Sequence, residues 1–214
     1  MGQAFCAVAL KSNWKNEKKP VAAAVYPHSY GSGYKMYEHF FVGNEFVHAA
    51  MMMIAKLDKK GKGVPFTWAA EYAEKTNFYD KGNDWMFTRA SKGKKQYATL
   101  KKELAEEPYN CMELPLYPPT ETPLQVGPKY LINRTKGVYV EVPEFSKEVS
   151  TIHPLPVLTA EFTDGGADYE ASQGENGKNM RLFGAWAFDN ISVSDDPKDL
   201  KYLERINWVR EYEE

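Results

Sequence analysis

This chain of 214 residues contains only two cysteines, Cys6 and Cys111. So few thiols form no disulfide framework, which favours a reduced, cytoplasmic protein. The absence of a Cys-x-x-Cys pair also disfavours a zinc site. The chain also has no apolar N-terminal segment typical of a signal peptide and no run of about 18 apolar residues. We therefore expect neither secretion nor a membrane span.

An excess of positive charge is also missing, because the formal net charge is −2. Lysines gather at 56–62 and 92–102, and each group is typical of a solvated loop or helix face. Binding to a nucleic-acid backbone needs clustered Lys and Arg. The sequence thus predicts no general affinity for nucleic-acid backbones.

Aromatic residues, in contrast, are abundant. They make up 14% of the chain, with fourteen Tyr and five Trp, while hydrophobic residues reach 43% and charged residues 26%. This balance is ordinary for a folded protein with a sizeable core. Because Tyr and Trp carry a polar atom that needs a partner when buried, we expect a core edged with hydrogen bonds or an aromatic recognition surface.

The first half of the chain alternates strand and helix patterns. Two apolar stretches joined by a lysine-rich connection predict an antiparallel pair of strands. A helical pattern follows and is interrupted at Gly43, where Asn44 is suited to cap the next helix. The predicted strands span 3–10, 20–26 and 64–73, and the helical pattern spans 34–57.

The second half is richer in strand patterns. Residues 129–142 predict a hairpin with a turn at Gly137. Six prolines in 108–128 predict an extended connection between halves 1–107 and 129–214, which either form separate domains or share one core. Further strands are predicted at 155–162, 181–188 and 190–194, and a final helix at 197–206. Together these elements predict an α+β fold, a mainly antiparallel sheet with two or three helices packed on it.

The segment between the second strand and the helical pattern is the most informative feature for function. Glycines at 31 and 33 let the backbone turn sharply and let a ligand approach, and a helix that starts at Tyr34 offers unpaired amides to an anion. Met36 replaces the third glycine of a dinucleotide fingerprint, and no Walker pattern is present. The alternative is a purely structural turn. The predicted ligand-binding residues are His28, Ser29, Tyr30, Gly31, Ser32, Gly33 and Lys35.

An acidic loop offers a weaker possibility, a metal site. Asp164, Asp168 and Glu170 carry oxygen ligands that suit Ca²⁺ or Mg²⁺. Tyr169 stands where an EF-hand loop requires glycine, so that assignment fails, and the alternative is a solvated loop. We expect no resident metal and no cofactor.

The hairpin at 130–141 and three later motifs resemble a loosely defined group of uncharacterised bacterial and phage proteins. The later motifs are His-Pro-Leu-Pro at 153–156, Gly-Gly-Ala-Asp-Tyr at 165–169 and Trp-Ala-Phe-Asp at 186–189. The resemblance covers about residues 129–195. It implies a setting in conflict between bacteria and phage but no particular chemistry.

These observations favour a non-enzymatic recognition protein that binds a small, nucleotide-like anion or a protein partner. The alternative is a metal-assisted hydrolase or phosphoesterase. In that case His28 acts as the base and Asp164, Asp168 or Asp189 places a metal or water. The sequence gives no indication of an oligomeric state.

Overall fold

A seven-stranded mixed sheet is the framework of the protein, in a computed structural model that describes residues 3–73, 76–82, 127–145, 151–161 and 182–208. The strand order is β2-β1-β3-β6-β4-β5-β7, and among these described strands the β5–β7 pair is the parallel one. Three helices complete the α+β fold, which confirms the predicted fold class. The strands are β1 (Phe5–Leu10), β2 (Val21–Val25), β3 (Val64–Ala70), β4 (Tyr130–Asn133), β5 (Val138–Glu141), β6 (Asn190–Ser194) and β7 (Glu204–Arg205), and the helices are α1 (Glu45–Leu57), α2 (78–82) and α3 (Pro154–Thr159).

The first three strands form as their apolar sequences predict. Every residue of β1 and β3 is buried, because helices cover both faces of this part of the sheet. Ala7 of β1 lies opposite Val25 of β2 on one side and Trp68 of β3 on the other. Small alanines next to large aromatic residues let the sheet and the helices interdigitate.

The strands of the C-terminal half continue the same sheet. The predicted hairpin is confirmed as β4 and β5, with Gly137 at a φ of 68° in its turn. Asn133 is fully buried there and accepts a hydrogen bond from the Lys136 amide at 2.9 Å. Strands from both predicted halves therefore share one sheet, and their side chains share the main core.

Few pairs join the two parts of the sheet. β3 and β6 pair at Val64 with Ile191 and at Pro65 with Asn190. From this junction β3 runs towards Ala70 and the antiparallel β6 runs the other way, towards Ser194. The two parts are therefore offset along the strand direction.

Helix α1 packs on the sheet and closes the main core. The Asn44 side chain accepts hydrogen bonds from the amides of Phe46 and Val47, which confirms the predicted cap. The buried side of the helix lies against Trp68 and the strands around it. On the other sheet face, α2 covers a smaller cluster that contains Cys6 and Tyr26.

The strand predicted at 155–162 is wrong, because Pro154–Thr159 forms helix α3. Proline is tolerated in a first helical turn, where its missing N–H has no intrahelical partner. The Leu155 amide of that turn is capped by the His153 ring at 3.1 Å. All six helical residues are buried, and a short buried helix shows the same uninterrupted apolar pattern as a buried strand.

Three other boundaries also differ from the sequence patterns. Residues 34–42 contain only a short 3-10 turn, Met36–Glu38, and 182–189 form turns. The last predicted helix is limited to a 3-10 turn at Pro197–Leu200, and β7 follows. In each place backbone bonds to distant residues replace helix or strand continuation, as when the Trp186 amide donates to the Leu158 carbonyl.

Tyr202 occupies a turn position that favours glycine. Its φ is 72°, its side chain is 90% exposed, and the Leu203 amide donates to the Leu200 carbonyl across the turn. We expect Tyr202→Gly to raise the free energy of unfolding by about 1 kcal/mol, because the left-handed conformation strains an L-residue. Urea denaturation checks this, and Tyr202→Ala, which keeps a Cβ, serves as the control. A Gly variant no more stable than the Ala variant contradicts the strain.

Candidate functional site

The predicted ligand-binding residues lie in the loop that connects β2 to α1. Pro27–Tyr30 forms a 3-10 turn because Pro27 supplies the φ that its first position needs. Gly31 ends the turn at a φ of 68°, and a Cβ added to it would have no atom within 4 Å. The glycine-rich turn thus exists, but no helix begins directly after it.

Backbone amides of this turn are engaged within the loop itself. The Ser29 amide donates to the Tyr26 carbonyl at 3.3 Å, and the Ser32 amide donates to the Pro27 carbonyl at 3.1 Å. The Gly31 amide donates to the His28 carbonyl, also at 3.3 Å. These three amides are therefore not bare donors for an anion.

The helix N-terminus beside this loop belongs to α1. The Asn44 Nδ2 donates to the Ser32 Oγ at 3.1 Å, while the Asn44 Oδ1 accepts from the Phe46 and Val47 amides. Glu45 adds a negative charge in the first turn. The helix end that the loop approaches is thus already capped by a neutral side chain, and a carboxylate lies in its first turn.

A carboxylate of the protein also lies at the second glycine. Glu38 Oε2 accepts a hydrogen bond from the Lys35 amide at 2.9 Å. A Cβ at Gly33 would come within 2.1 Å of the same oxygen. Gly33 is therefore needed for the close approach of Glu38, and Glu38 takes the position on the Lys35 amide that an anionic ligand could otherwise use.

His39 ties the loop to the core. Its Nδ1 lies 2.9 Å from the Gly33 carbonyl, and its Nε2 lies 3.0 Å from the Trp68 Nε1. Because the indole N–H only donates, Nε2 accepts and Nδ1 carries the proton. Burial lowers the pKa of His39 to about 4, and the bond to Gly33 opposes this in part. The ring is therefore neutral near pH 7.

Aromatic side chains of the loop reach solvent at the end of the sheet where β1 begins. The His28 and Tyr34 rings stack at 5.9 Å, and Lys35 Nζ donates to the Tyr37 hydroxyl at 3.2 Å. On one side of β1 the Phe5 amide donates to the Tyr34 carbonyl, and on the other side the Glu71 amide donates to the Ala4 carbonyl. Tyr72 therefore lies across β1 from Tyr34, about two strand spacings (~10 Å) away. We call His28, Tyr34, Tyr37 and Tyr72 the aromatic end.

His28 and Asp189, the described residues among those proposed for hydrolysis, do not come together. His28 follows β2 and Asp189 precedes β6, so the strands that carry them are three spacings, about 14 Å, apart. Asp189 pairs with Lys136 at 2.9 Å and accepts from Asn133 at 2.7 Å, which are contacts of the hairpin turn. Asp164, Asp168 and Glu170 lie outside the described residues.

Other reactive side chains of the described residues are buried in structural positions. Burial raises the pKa of the Cys6 thiol, with a smaller opposing effect of a hydrogen bond to Tyr26, so the thiolate nucleophile is disfavoured. Burial likewise raises the pKa of Glu161, whose carboxylate accepts from Thr76 and from the Ala70 amide. Within the described ranges, no group of three or more His, Cys, Asp or Glu side chains could hold a metal ion.

Sequence reasoning missed Glu38, His39 and Tyr72. A capping-box-like pattern, in which Glu38 follows Lys35 by three residues, is a local signal for the first of them. His39 has no such signal, because its partner Trp68 comes from another strand. Tyr72 joins the aromatic end only through the pairing of β1 with β3.

Comparisons with known protein families, curated proteins and solved structures find no match. Of the helices that the structure describes, none has the length and apolar character to cross a membrane.

Proposed function

We propose that the protein is a non-enzymatic recognition protein that binds a protein partner through the aromatic end. The observation that carries the proposal is the exposure of three tyrosines on one end of an otherwise well-packed sheet. Tyr34 is 44% exposed, Tyr37 38% and Tyr72 49%. Tyrosine is enriched in protein interfaces because it combines a large apolar ring with a hydroxyl that can stay hydrogen-bonded.

Order within the loop supports this proposal. The contacts of Ser32 with Asn44 and of His39 with Gly33 and Trp68 fix the backbone that carries Tyr34 and Tyr37. A surface that is already ordered loses little conformational entropy on binding, so more of the contact energy appears as affinity. The aromatic end thus has the composition and the rigidity of a preformed contact surface.

A small anion is the less favoured ligand for this loop. The amides that would bind it already donate to Tyr26, His28 and Pro27, and the Glu38 carboxylate adds a repulsive charge. Lys35 is the lysine of the predicted set, and its Nζ already donates to the Tyr37 hydroxyl. A protein partner can instead contact the exposed tyrosine rings and needs none of these amides. The arrangement of the loop therefore favours a protein partner over a small anion.

The test is an affinity capture with a matched control. The tagged chain is incubated with lysate of a bacterium, with or without phage infection, because the resemblance of 129–195 implies that setting. We expect one partner to be enriched by the wild type and to be lost, at least tenfold, with Tyr34→Ala plus Tyr37→Ala. Tyr202→Ala is the control, since Tyr202 is also exposed but lies about five strand spacings (~24 Å) across the sheet.

Two outcomes contradict the proposal. One is that no captured protein depends on Tyr34 and Tyr37, and the other is that Tyr202→Ala abolishes capture equally. Calorimetric titration of the purified chain with nucleotides separates the two versions of recognition. Heat that disappears with Lys35→Ala would assign the loop to a small anion instead.

A further inference from the structure

The end of the sheet opposite the aromatic end collects lysines from two distant parts of the sequence. Ala9 of β1 lies opposite Phe66 of β3, so Lys11, two residues later, is level with Val64 at the start of β3. The β1–β2 connection and the α1–β3 connection therefore leave the sheet side by side, about one strand spacing (~5 Å) apart. We call residues 11–19 and 56–62 together the lysine end.

This surface carries a strong local charge in a chain of net charge −2. Its two connections contain eight lysines and two carboxylates. Both carboxylates have protein partners. Glu17 contacts Lys11 at 3.7 Å and Asn13 at 2.6 Å, and Asp58 accepts from the Gly63 amide and from Ser192.

Most of the lysines are exposed and form no ion pair with the described residues. Among the described residues, the acidic residues that follow β6 also lie towards this end, and they accept hydrogen bonds from amides or a hydroxyl. Asp195 accepts from the Lys129 amide at 3.1 Å and Asp196 from the Lys198 amide at 2.9 Å. The exposed lysines that form no ion pair with a described residue are Lys15, Lys18, Lys19, Lys59, Lys60 and Lys62.

We propose that the lysine end binds the phosphate backbone of a nucleic acid, independently of base sequence. The lysine ammonium groups, on long flexible side chains, can each contact one phosphate. The counterions that these contacts release from the nucleic acid supply the affinity. The composition argues against a protein partner here, because the centres of protein interfaces are depleted in Lys and enriched in aromatic residues. The large exposed hydrophobic side chains of the described residues all lie outside these two connections.

The same composition argues against base-specific recognition. Trp14 is the aromatic residue of the lysine end, and its ring packs on Phe78 and Phe188 at 5.5 Å each instead of facing a base. Arginine, which reads guanine by paired hydrogen bonds, does not occur in 11–19 or 56–62. The net charge of the whole chain does not indicate this surface, because its lysines come together only through the pairing of β1 with β3.

Fluorescence anisotropy of a labelled duplex DNA of mixed sequence tests the proposal on the full chain. We expect binding at about 50 mM salt that weakens at least roughly a hundredfold by about 200 mM.

Lys18→Gln plus Lys19→Gln should lower the slope of log affinity against log salt by about 2, because each lost phosphate contact contributes about 0.9. Lys59→Gln plus Lys60→Gln should do the same. Lys81→Gln plus Lys136→Gln removes two exposed lysines outside the lysine end, one on α2 and one in the β4–β5 turn, and should leave the slope unchanged.

Three results would overturn the inference. They are no binding at about 50 mM salt, an equal loss with Lys81→Gln plus Lys136→Gln, and lysine-dependent binding that is tighter to polyglutamate or to phosphatidylserine vesicles than to DNA. The last result assigns the surface to an acidic protein or to a lipid surface. Because these variants leave the aromatic end intact, partner capture through Tyr34 and Tyr37 can fail or succeed independently.

Discussion

Lowering the pH from 7 to 4.5 should remove about 2–3 kcal/mol of folding stability for each of two buried histidines, His39 and His153. The pKa of His39 falls to about 4 and that of His153 to about 3, in both cases mainly because burial disfavours the charged ring. An unfolded histidine has a pKa near 6.5, so the unfolded chain takes up the proton first. Stability is therefore complete above pH 6.5 and is lost progressively as the pH falls towards the folded values.

The hydrogen bonds of the two rings explain why protonation is costly. His39 Nε2 accepts from the Trp68 indole, and His153 Nδ1 accepts from the Leu155 amide. A second proton on either ring turns its accepting nitrogen into a donor, which then faces the N–H of Trp68 or of Leu155. Burial also lowers the pKa of His48, which acts in the same direction. Glu161 acts in the opposite direction, because its raised pKa makes folding more favourable as the pH falls through it.

Urea unfolding at pH 7 and at pH 4.5 checks this expectation. His153→Asn supplies another capping side chain without a titrating ring, so it should reduce the loss between the two pH values by about 2–3 kcal/mol. His28→Asn replaces an exposed ring and is the matched control. Equal pH dependence in the wild type and in His153→Asn would rule out His153 as a cause of acid sensitivity.

Gly63→Ala should lower the free energy of unfolding by about 3 kcal/mol. Gly63 has a φ of 81°, which strains an L-residue by about 1 kcal/mol. An added Cβ would also lie 2.8–2.9 Å from atoms of Asn190, including its backbone carbon and oxygen. Because this backbone belongs to β6, it cannot move aside without disturbing the junction with β3, and overpacking of this kind adds about 2 kcal/mol.

Gly61→Ala provides the matched control in the same connection. Gly61 has a similar φ of 62°, but no atom lies within 4 Å of the added Cβ. We expect it to cost only the backbone strain, about 1 kcal/mol. Chemical denaturation of the two variants isolates the steric part, and equal losses would show that the β3–β6 junction tolerates the methyl group.

Local signals in the sequence were sufficient for much of the fold. The cap at Asn44, the hairpin turn at Gly137 and the apolar strands β1 and β2 each depend on neighbours in the chain, so the patterns predicted them. Helix α3 was missed because periodicity cannot separate a short buried helix from a buried strand. Its start depends on a histidine ring as the cap, a residue not among the preferred capping types.

The two proposed binding surfaces were harder to predict for a different reason. The glycine turn was found from Gly31 and Gly33, but its hydrogen bonds to Glu38, His39 and Asn44 depend on how the loop folds back. The aromatic and lysine ends each combine residues that are adjacent only after β1 pairs with β3. Sequence patterns describe one segment at a time, so surfaces built from two segments were not visible in them.

The junction of β3 with β6 also orders events during synthesis. Strands β1, β2 and β3 and helix α1 emerge early and can pair with one another, whereas Val64 must wait for Ile191 near the other end of the chain. Closing so long a loop is slow compared with forming local hairpins. Until β6 has been synthesised, the edge of β3 that later pairs with it stays unpaired, and an unpaired strand edge favours aggregation of a partly folded chain.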